Sequence, residues 1–109
     1  MISVDKDTGA IKIIAGDTAT LSVNLDNYSL VSGDVVYFTI NDVTGASTHL
    51  KQKMITSFLD GRAIINLSEE DTNLEPGTYY YDVQVNLKTG EVDTVIGPAK
   101  FKVLGGVTY

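Results

Sequence analysis

The feature that most limits the folds open to this chain is a regular alternation of apolar and polar residues in one segment. Between Tyr79 and Leu87 the odd-numbered residues are aromatic or aliphatic, whereas most of the even-numbered residues are polar. Successive side chains of a strand point to opposite faces, so this period of two predicts a strand with one face on a core and one face in water. The residues of the predicted outer face are Tyr80, Asp82, Gln84 and Asn86.

The same period of two occurs in other segments, and the composition agrees with it. Val, Ile and Thr supply 12, 9 and 12 of the 109 residues, and these β-branched side chains fit a pleated sheet better than a helix. Turn residues separate the segments at intervals close to a strand length, which predicts an all-β fold, an antiparallel sandwich of about seven strands. The residues expected in its core include Leu21, Val23, Phe38, Ile65, Val83, Val85 and Phe101.

The last predicted strand changes its alternation at Gly97-Pro98. A β-bulge inserts one residue into a strand and tolerates both Gly and Pro. We therefore expect the strand to kink there or to move from one sheet to the other. The predicted inner face consists of Val92, Thr94 and Ile96 before the bulge, and of Ala99, Phe101 and Val103 after it.

Two shorter signals mark connections between strands. The string Lys88-Thr89-Gly90-Glu91 predicts a β-hairpin turn with Gly90 at positive φ. The string Ser68-Glu69-Glu70-Asp71 predicts a helical turn, because a hydroxyl residue caps it and acidic residues favour its positive N-terminus. Pro76 follows so closely that one turn is the expected length.

Length and charge limit the organisation and the partners. A chain of 109 residues is close to the usual size of one domain, so we expect residues 1–109 to form a single domain. The chain carries 8 Lys and Arg against 14 Asp and Glu, a net charge of -6, which repels nucleic acid and anionic membranes. We expect neither as a partner.

No apolar stretch approaches the roughly 20 residues of a membrane span, and the first residues show no signal peptide.

Two features suggest an enzyme, but the residues around them favour structural roles. Asp7-Thr8-Gly9-Ala10 matches the active-site string of retroviral aspartic proteases, yet Asp5-Lys6 precede it where those enzymes carry apolar residues. His49 is the sole histidine, so a Ser-His-Asp system would depend on it alone. We predict a hairpin turn at Thr8-Gly9, a solvated loop histidine, and no catalytic residues.

No cofactor or metal site is expected. The chain has no Cys, which excludes disulfides, thiolate catalysis and Cys-ligated metals. The segment from Asp5 to Gly9 begins like a calcium loop but lacks the third oxygen ligand and the distal Glu. Glu69-Glu70-Asp71 would need ligands from elsewhere to hold a cation. We interpret both segments as solvated acidic turns.

The order of strands and turns outlines an immunoglobulin-like β-sandwich. The string Leu74-Glu75-Pro76-Gly77-Thr78, followed by tyrosines, resembles the corner that enters the sixth strand of fibronectin type III and related domains. In those domains a tyrosine hydroxyl bonds to the corner backbone. The spacing in that family selects Tyr80, whereas the alternation places Tyr81 on the core side, so both stay open as the corner tyrosine.

A more particular resemblance covers nearly the whole chain. Five strings and two single residues stand in one order: Ala15-Gly16-Asp17-Thr18, Ser32-Gly33-Asp34, Asp71-Thr72, Pro76-Gly77-Thr78-Tyr79-Tyr80-Tyr81-Asp82-Val83-Gln84-Val85, Thr94, Phe101 and Val107-Thr108. Together they resemble the immunoglobulin-like domains of tail and baseplate proteins of phages and prophages of Gram-positive bacteria, including the N-terminal domain of baseplate upper proteins. The resemblance implies a structural role in a virion, contacts with other tail proteins or with further copies, and no catalysis.

A bacterial cell-surface domain that binds carbohydrate is the alternative. The row Tyr80, Asp82, Gln84 and Asn86 offers an aromatic ring and polar groups on one face, which a sugar site needs, although the chain has no Trp. Tyrosine is also enriched at protein interfaces. The same row is therefore the predicted interaction surface for either partner.

Overall fold

The computed structural model describes residues 2–5, 8–25, 28, 30–42, 51–58 and 61–105, which form two packed β-sheets. The larger sheet has the strand order β1-β2-β8-β7-β4-β5, and the smaller sheet pairs β3 with β6. The elements are β1 (Ile2–Val4), β2 (Ile11–Ile14), β3 (Ala19–Asn24), β4 (Val35–Asn41), β5 (Lys51–Ile55), β6 (Arg62–Leu67), α1 (Glu69–Thr72), β7 (Gly77–Asn86) and β8 (Val92–Leu104).

The two sheets confirm the all-β sandwich that the sequence predicts. β4, β7 and β8 form the centre of the larger sheet, and β5 lies at its edge beside β4. In an immunoglobulin-like sandwich these strands take the positions of C, F, G and C′, and β3 and β6 take those of B and E. Among the described residues no strand lies beyond β6, at the position of strand D.

The first segment differs from the expectation. It forms two strands, β1 and β2, joined by a hairpin in which the Asp5 N–H donates to the Ala10 carbonyl and the Gly9 N–H to the Asp5 carbonyl, both at 2.8 Å. This confirms the predicted turn at Thr8-Gly9. β2 then pairs parallel with β8. The described residues therefore form eight strands with one parallel pair, where the sequence predicted about seven antiparallel strands.

Three aromatic rings fill the centre between the sheets. Phe38 lies 5.4 Å from Tyr81 and 6.4 Å from Phe101 between ring centroids, and Tyr81 lies 6.2 Å from Phe101. Such separations are typical of attractive aromatic pairs. Of the predicted core residues, Leu21 is half-buried and the others are buried.

The predicted bulge at Gly97-Pro98 is present. Tyr81 lies opposite Ala99 and Val83 opposite Ile96, so the two residues Gly97-Pro98 face a single residue of β7. β8 continues through the bulge and stays in the larger sheet. Gly97 has a φ of +94°, and a Cβ at this position would lie 2.5 Å from the Tyr81 carbonyl oxygen. The close approach of the two backbones therefore requires glycine.

A second irregularity in β8 changes which residues at the start of this strand face the core. Gln84 lies opposite Thr94 and Val83 opposite Ile96, which leaves Val95 as an extra residue. The alternation consequently shifts twice. Val92 and Thr94 are exposed, and the expectation that they face the core is wrong.

Both predicted connections are confirmed. In the hairpin between β7 and β8, the Gly90 N–H donates to the Leu87 carbonyl at 2.9 Å, and Gly90 has a φ of +100°. α1 begins after Ser68, whose Oγ accepts from the Asp71 N–H at 3.2 Å, while the Ser68 N–H donates to the Asp71 carboxylate at 2.8 Å. This reciprocal capping box satisfies two backbone donors at the start of a single-turn helix.

The corner tyrosine is Tyr79, and neither of the two candidates from the sequence fills this role. The Tyr79 hydroxyl donates to the Glu75 carbonyl at 2.7 Å. The Tyr81 hydroxyl instead donates to the Gly9 carbonyl, in the hairpin between β1 and β2, at 2.5 Å, and burial raises the pKa of Tyr81. Tyr80 points to the opposite face of the sheet.

A buried carboxylate fixes the turn before β4 against the β7–β8 hairpin. Asp34 accepts from the Lys88 N–H and from the Val31 N–H, each at 2.8 Å. These two bonds, with that from Lys88 the stronger influence, lower the pKa of Asp34 although its burial acts in the other direction. The bond to Lys88 holds the start of β4 beside the end of β7.

Candidate interaction surface

The predicted residues Tyr80, Asp82, Gln84 and Asn86 lie in one row on the face of β7 that points away from the smaller sheet. β7 is a central strand with β4 on one side and β8 on the other. Because these neighbours cover the flanks of the row, all four residues are half-buried. The row is therefore the middle of a broader surface.

The strand register shows which side chains share that surface. Tyr37 and Thr39 of β4 lie opposite Gln84 and Asp82 of β7. Directly opposed residues of neighbouring strands point to the same face. We define the outer face by the residues found in this way: Val35, Tyr37, Thr39, Asn41, Gln52, Met54, Tyr80, Asp82, Gln84, Asn86, Val92, Thr94 and Lys100.

Polar groups form the middle of the outer face. The Gln52 Nε2 of β5 donates to the Thr39 Oγ1 of β4 at 3.2 Å. Asp82 of β7 lies on the other side of Thr39. Three strands thus contribute to one polar band, which runs across the sheet at right angles to the strands.

Exposed apolar groups lie on either side of the row on β7, one on β5 and one on β8. Met54 is 63% exposed and lies opposite Tyr37, and Val92 is 57% exposed and lies opposite Asn86. The Asn86 Oδ1 is buried and accepts no hydrogen bond from the residues that the structure describes. The outer face therefore presents exposed apolar side chains on either side of the polar row on β7.

β5 contributes two residues to this surface that the sequence pattern does not predict. Gln52 and Met54 belong to a strand whose inward positions carry Lys51 and Lys53, opposite the buried Ile40 and Phe38. Apolar alternation is therefore absent from this strand. The signal that was available is the period of two between Gln52 and Met54, two long side chains on one face.

The described residues bring together no cluster of side chains that could hold a metal ion. No three side chains of His, Cys, Asp or Glu meet within them. The Asp5 carboxylate accepts from the Thr8 N–H at 3.2 Å, as a turn residue, and Asp71 caps α1. Asp7 and His49, which the sequence analysis weighed as protease or triad residues, lie outside the described residues.

A concave feature lies on the open side of the sandwich, apart from the row on β7. A groove of about 630 Å³ separates β5 and residues 56–58 from β6. Met54 and Ile64, which are 63% and 37% exposed, lie on opposite walls of it. The groove occupies the side of the fold on which strand D lies in other immunoglobulin-like sandwiches.

The fold and this surface define a β-sandwich domain with an immunoglobulin-like strand order and an open sheet face. Comparison of the chain with protein-family models, with curated proteins and with solved structures gives no match. The single-turn α1 is the one helix among the described residues, and it has neither the length nor the apolar character to cross a membrane.

Proposed function

We propose that this domain is a non-enzymatic structural and protein-interaction module, and that it serves as a tail or baseplate component of a phage or prophage. The support is of two kinds. The order of motifs resembles that of immunoglobulin-like tail domains, and the outer face has the composition of a protein interface. Its proposed partners are other virion proteins or further copies of the chain.

The observation that carries the interaction role is the exposure of apolar side chains on the outer face. Met54 and Val92 are more than half exposed on either side of the β7 row. Met and Tyr are enriched at the cores of protein interfaces, where polar side chains such as Gln84 and Asp82 supply the directional bonds. A partner that covers this face would remove both apolar side chains from water.

The same geometry favours a macromolecular partner over a sugar. Sugar and other small-molecule sites are concave and bury most of their ligand, whereas the row on β7 lies on a central strand of an open sheet face. Tyr37 and Tyr80 lie on different strands and on different register rows. The carbohydrate-binding function is therefore kept as an alternative outcome of the experiments.

The virion role is tested by locating the protein. Particles released after induction of prophages in the source bacterium are purified and examined with an antibody against this domain, by immunoblot and by immunogold electron microscopy. We expect label on the tail or baseplate. Label on the cell wall together with unlabelled particles would contradict the proposal, and it would favour the carbohydrate-binding alternative if the isolated domain also bound cell-wall polysaccharide.

The interaction surface is tested by a pair of charge substitutions. Gln84→Lys places a charge in the middle of the outer face, and Ser22→Lys places the same charge on the exposed side of the smaller sheet. We expect both variants to fold, because both positions are polar residues on outward faces. Only Gln84→Lys should abolish incorporation into particles. Equal incorporation of the two variants would remove the outer face from the proposal.

A further inference from the structure

β6 of the smaller sheet has a free edge in the part of the chain that the structure describes. β6 pairs with β3 on one side, and no strand within the described residues pairs with it on the other. An unpaired strand edge presents a row of backbone N–H and C=O groups that a further strand can bind.

The register shows which backbone groups form this edge. The Leu25 N–H donates to the Gly61 carbonyl at 2.7 Å, and the same register pairs Val23 with Ala63 and Leu21 with Ile65. Along two antiparallel strands, residue pairs that exchange backbone hydrogen bonds alternate with residue pairs that do not. The backbone N–H and C=O groups of Arg62, Ile64 and Asn66 therefore point away from β3, toward the free edge.

The other described edges are shorter, charged or polar. β1 has three residues. β5 turns Lys51 and Lys53 inward, a device that prevents further strand pairing. β3 presents the polar residues Thr20, Ser22 and Asn24 at the positions of its outward-pointing backbone groups. At the centre of the β6 edge stands Ile64, an apolar residue that is 37% exposed.

We infer that β6 pairs antiparallel with β6 of a second copy of this chain, about a two-fold axis at Ile64. The three residues with outward-pointing groups are spaced symmetrically about Ile64, so Ile64 lies opposite Ile64 of the partner subunit and Arg62 opposite Asn66 of the partner subunit. Each of these three pairs exchanges two backbone hydrogen bonds, about six in total. The two smaller sheets become one four-stranded sheet, β3-β6-β6-β3.

The side chains of the edge are complementary to themselves in this register. The two Ile64 side chains meet on the axis, so that their exposed apolar surface is covered by its own copy. The antiparallel direction also brings the exposed Arg62 of one copy toward the start of α1 in the other, where Glu70 is exposed. This opposite-charge contact offsets part of the repulsion between two chains that each carry a net charge of -6.

Cysteine cross-linking tests the axis directly, because the chain has no cysteine of its own. In the proposed dimer the two residues at position 64 have Cα atoms about 5.5 Å apart, within the range that a disulfide spans. Ser22, opposite Ile64 on β3, is the matched control, since its two copies would be three strand spacings apart, about 14 Å. We expect Ile64→Cys to form a disulfide-linked dimer with a mild oxidant such as diamide, and Ser22→Cys to stay monomeric.

A mixing experiment tests the register. Arg62→Cys and Asn66→Cys lie four residues apart on the strand, so neither variant brings its own two cysteines together in the proposed dimer. A mixture of the two variants does, because position 62 of one copy faces position 66 of the other. We expect a disulfide-linked dimer from the mixture and from neither variant alone.

The outcomes separate the proposal from its alternatives. Sedimentation of the unmodified chain at rising concentration should show a shift from monomer toward dimer, which Ile64→Lys removes and Ser22→Lys does not. Cross-linking by Ser22→Cys and not by Ile64→Cys would assign the interface to β3 and overturn the proposal. A folded Ile64→Cys variant that stays monomeric under oxidation would overturn it as well. The role of the outer face is tested separately by Gln84→Lys, so either result stands without the other.

Discussion

The Lys53 ammonium lies 2.9 Å from the Asp71 carboxylate, and this ion pair joins the edge strand of the larger sheet to the helix that follows the smaller one. Lys53 faces inward opposite Phe38, in a position that an apolar residue takes in a central strand. Asp71 also accepts from the Ser68 N–H, so one carboxylate caps α1 and neutralises the inward lysine. The pair closes one end of the open side without adding a strand.

We expect acid to weaken this connection. Desolvation raises the pKa of Asp71, but the hydrogen bonds from Ser68 and Lys53 outweigh it, and the net shift is downward. A carboxyl whose pKa is lower in the folded chain stabilises the fold above its unfolded value of about 4. That contribution is lost as the pH falls through the folded value.

The free energy of unfolding should therefore fall less steeply below about pH 4 in Asp71→Asn than in the unmodified chain. Asp42→Asn, at an exposed carboxyl, should keep the steeper dependence, and identical profiles for all three proteins would contradict the prediction.

Two valines provide a matched test of the core. Val83 is 1% exposed between the sheets, and Val92 is 57% exposed on the outer face. Val83→Ala leaves a cavity and should cost about 2 to 4 kcal/mol, as should Phe38→Ala, whereas Val92→Ala should stay within about 0.5 kcal/mol. Chemical denaturation measures all three. Losses below about 0.5 kcal/mol at both Val83 and Phe38 would be incompatible with the packing described.

Three consecutive tyrosines allow each hydroxyl to be tested in turn. Tyr79→Phe removes the bond to Glu75, and Tyr81→Phe removes the bond to Gly9. Each should reduce the free energy of unfolding by about 0.5 to 1.5 kcal/mol. Tyr80→Phe, on the outer face, should leave it unchanged. A loss at Tyr80 equal to that at Tyr79 would contradict the assignment of the corner.

Substitutions at two glycines distinguish the energetic cost of a steric contact from the cost of backbone strain. Both Gly97 and Gly90 have a φ near +100°, but a Cβ at Gly97 would meet the Tyr81 carbonyl oxygen at 2.5 Å, while one at Gly90 would have no atom within 4 Å. Gly90→Ala should cost only the conformational strain, about 1 to 2 kcal/mol. Gly97→Ala should cost clearly more, and the difference in unfolding free energy measures the contact in the bulge. Equal losses would show that β7 yields to the added methyl.

The sequence predicted the inner strands well because their alternation reflects burial on one side. The inner residues of β4 and β6, and those of β7 from Tyr81 onward, are buried where the period of two places them. The position of β5 could not be predicted in this way, because an edge strand with inward lysines has no apolar alternation. The inner face at the start of β8 was predicted wrongly because Val95 adds an irregularity, and no Gly or Pro marks it in the sequence.

The corner tyrosine shows a further limit. Spacing in a related family pointed to Tyr80, but Tyr79 and Tyr81 share the inward parity, and Tyr80 points outward. Of the two inward tyrosines, Tyr81 is engaged by the hairpin between β1 and β2, a long-range contact that a local pattern does not contain. The sequence correctly predicted that the row on β7 lies on an outward face, because the alternation of odd and even positions along a strand sets the face of each side chain. Its role in binding stays a prediction.

The parallel pair of β2 and β8 has a mechanical consequence. Residues 11–14 run beside residues 101–104 in the same direction, so a load that pulls the chain before β2 and after β8 in opposite directions acts along both strands. Their evenly spaced hydrogen bonds then bear the load together as shear, whereas a hairpin such as β7–β8, pulled at its open end, would separate one bond at a time. We expect the resistance of the domain to stretching to be set by this short pair of strands.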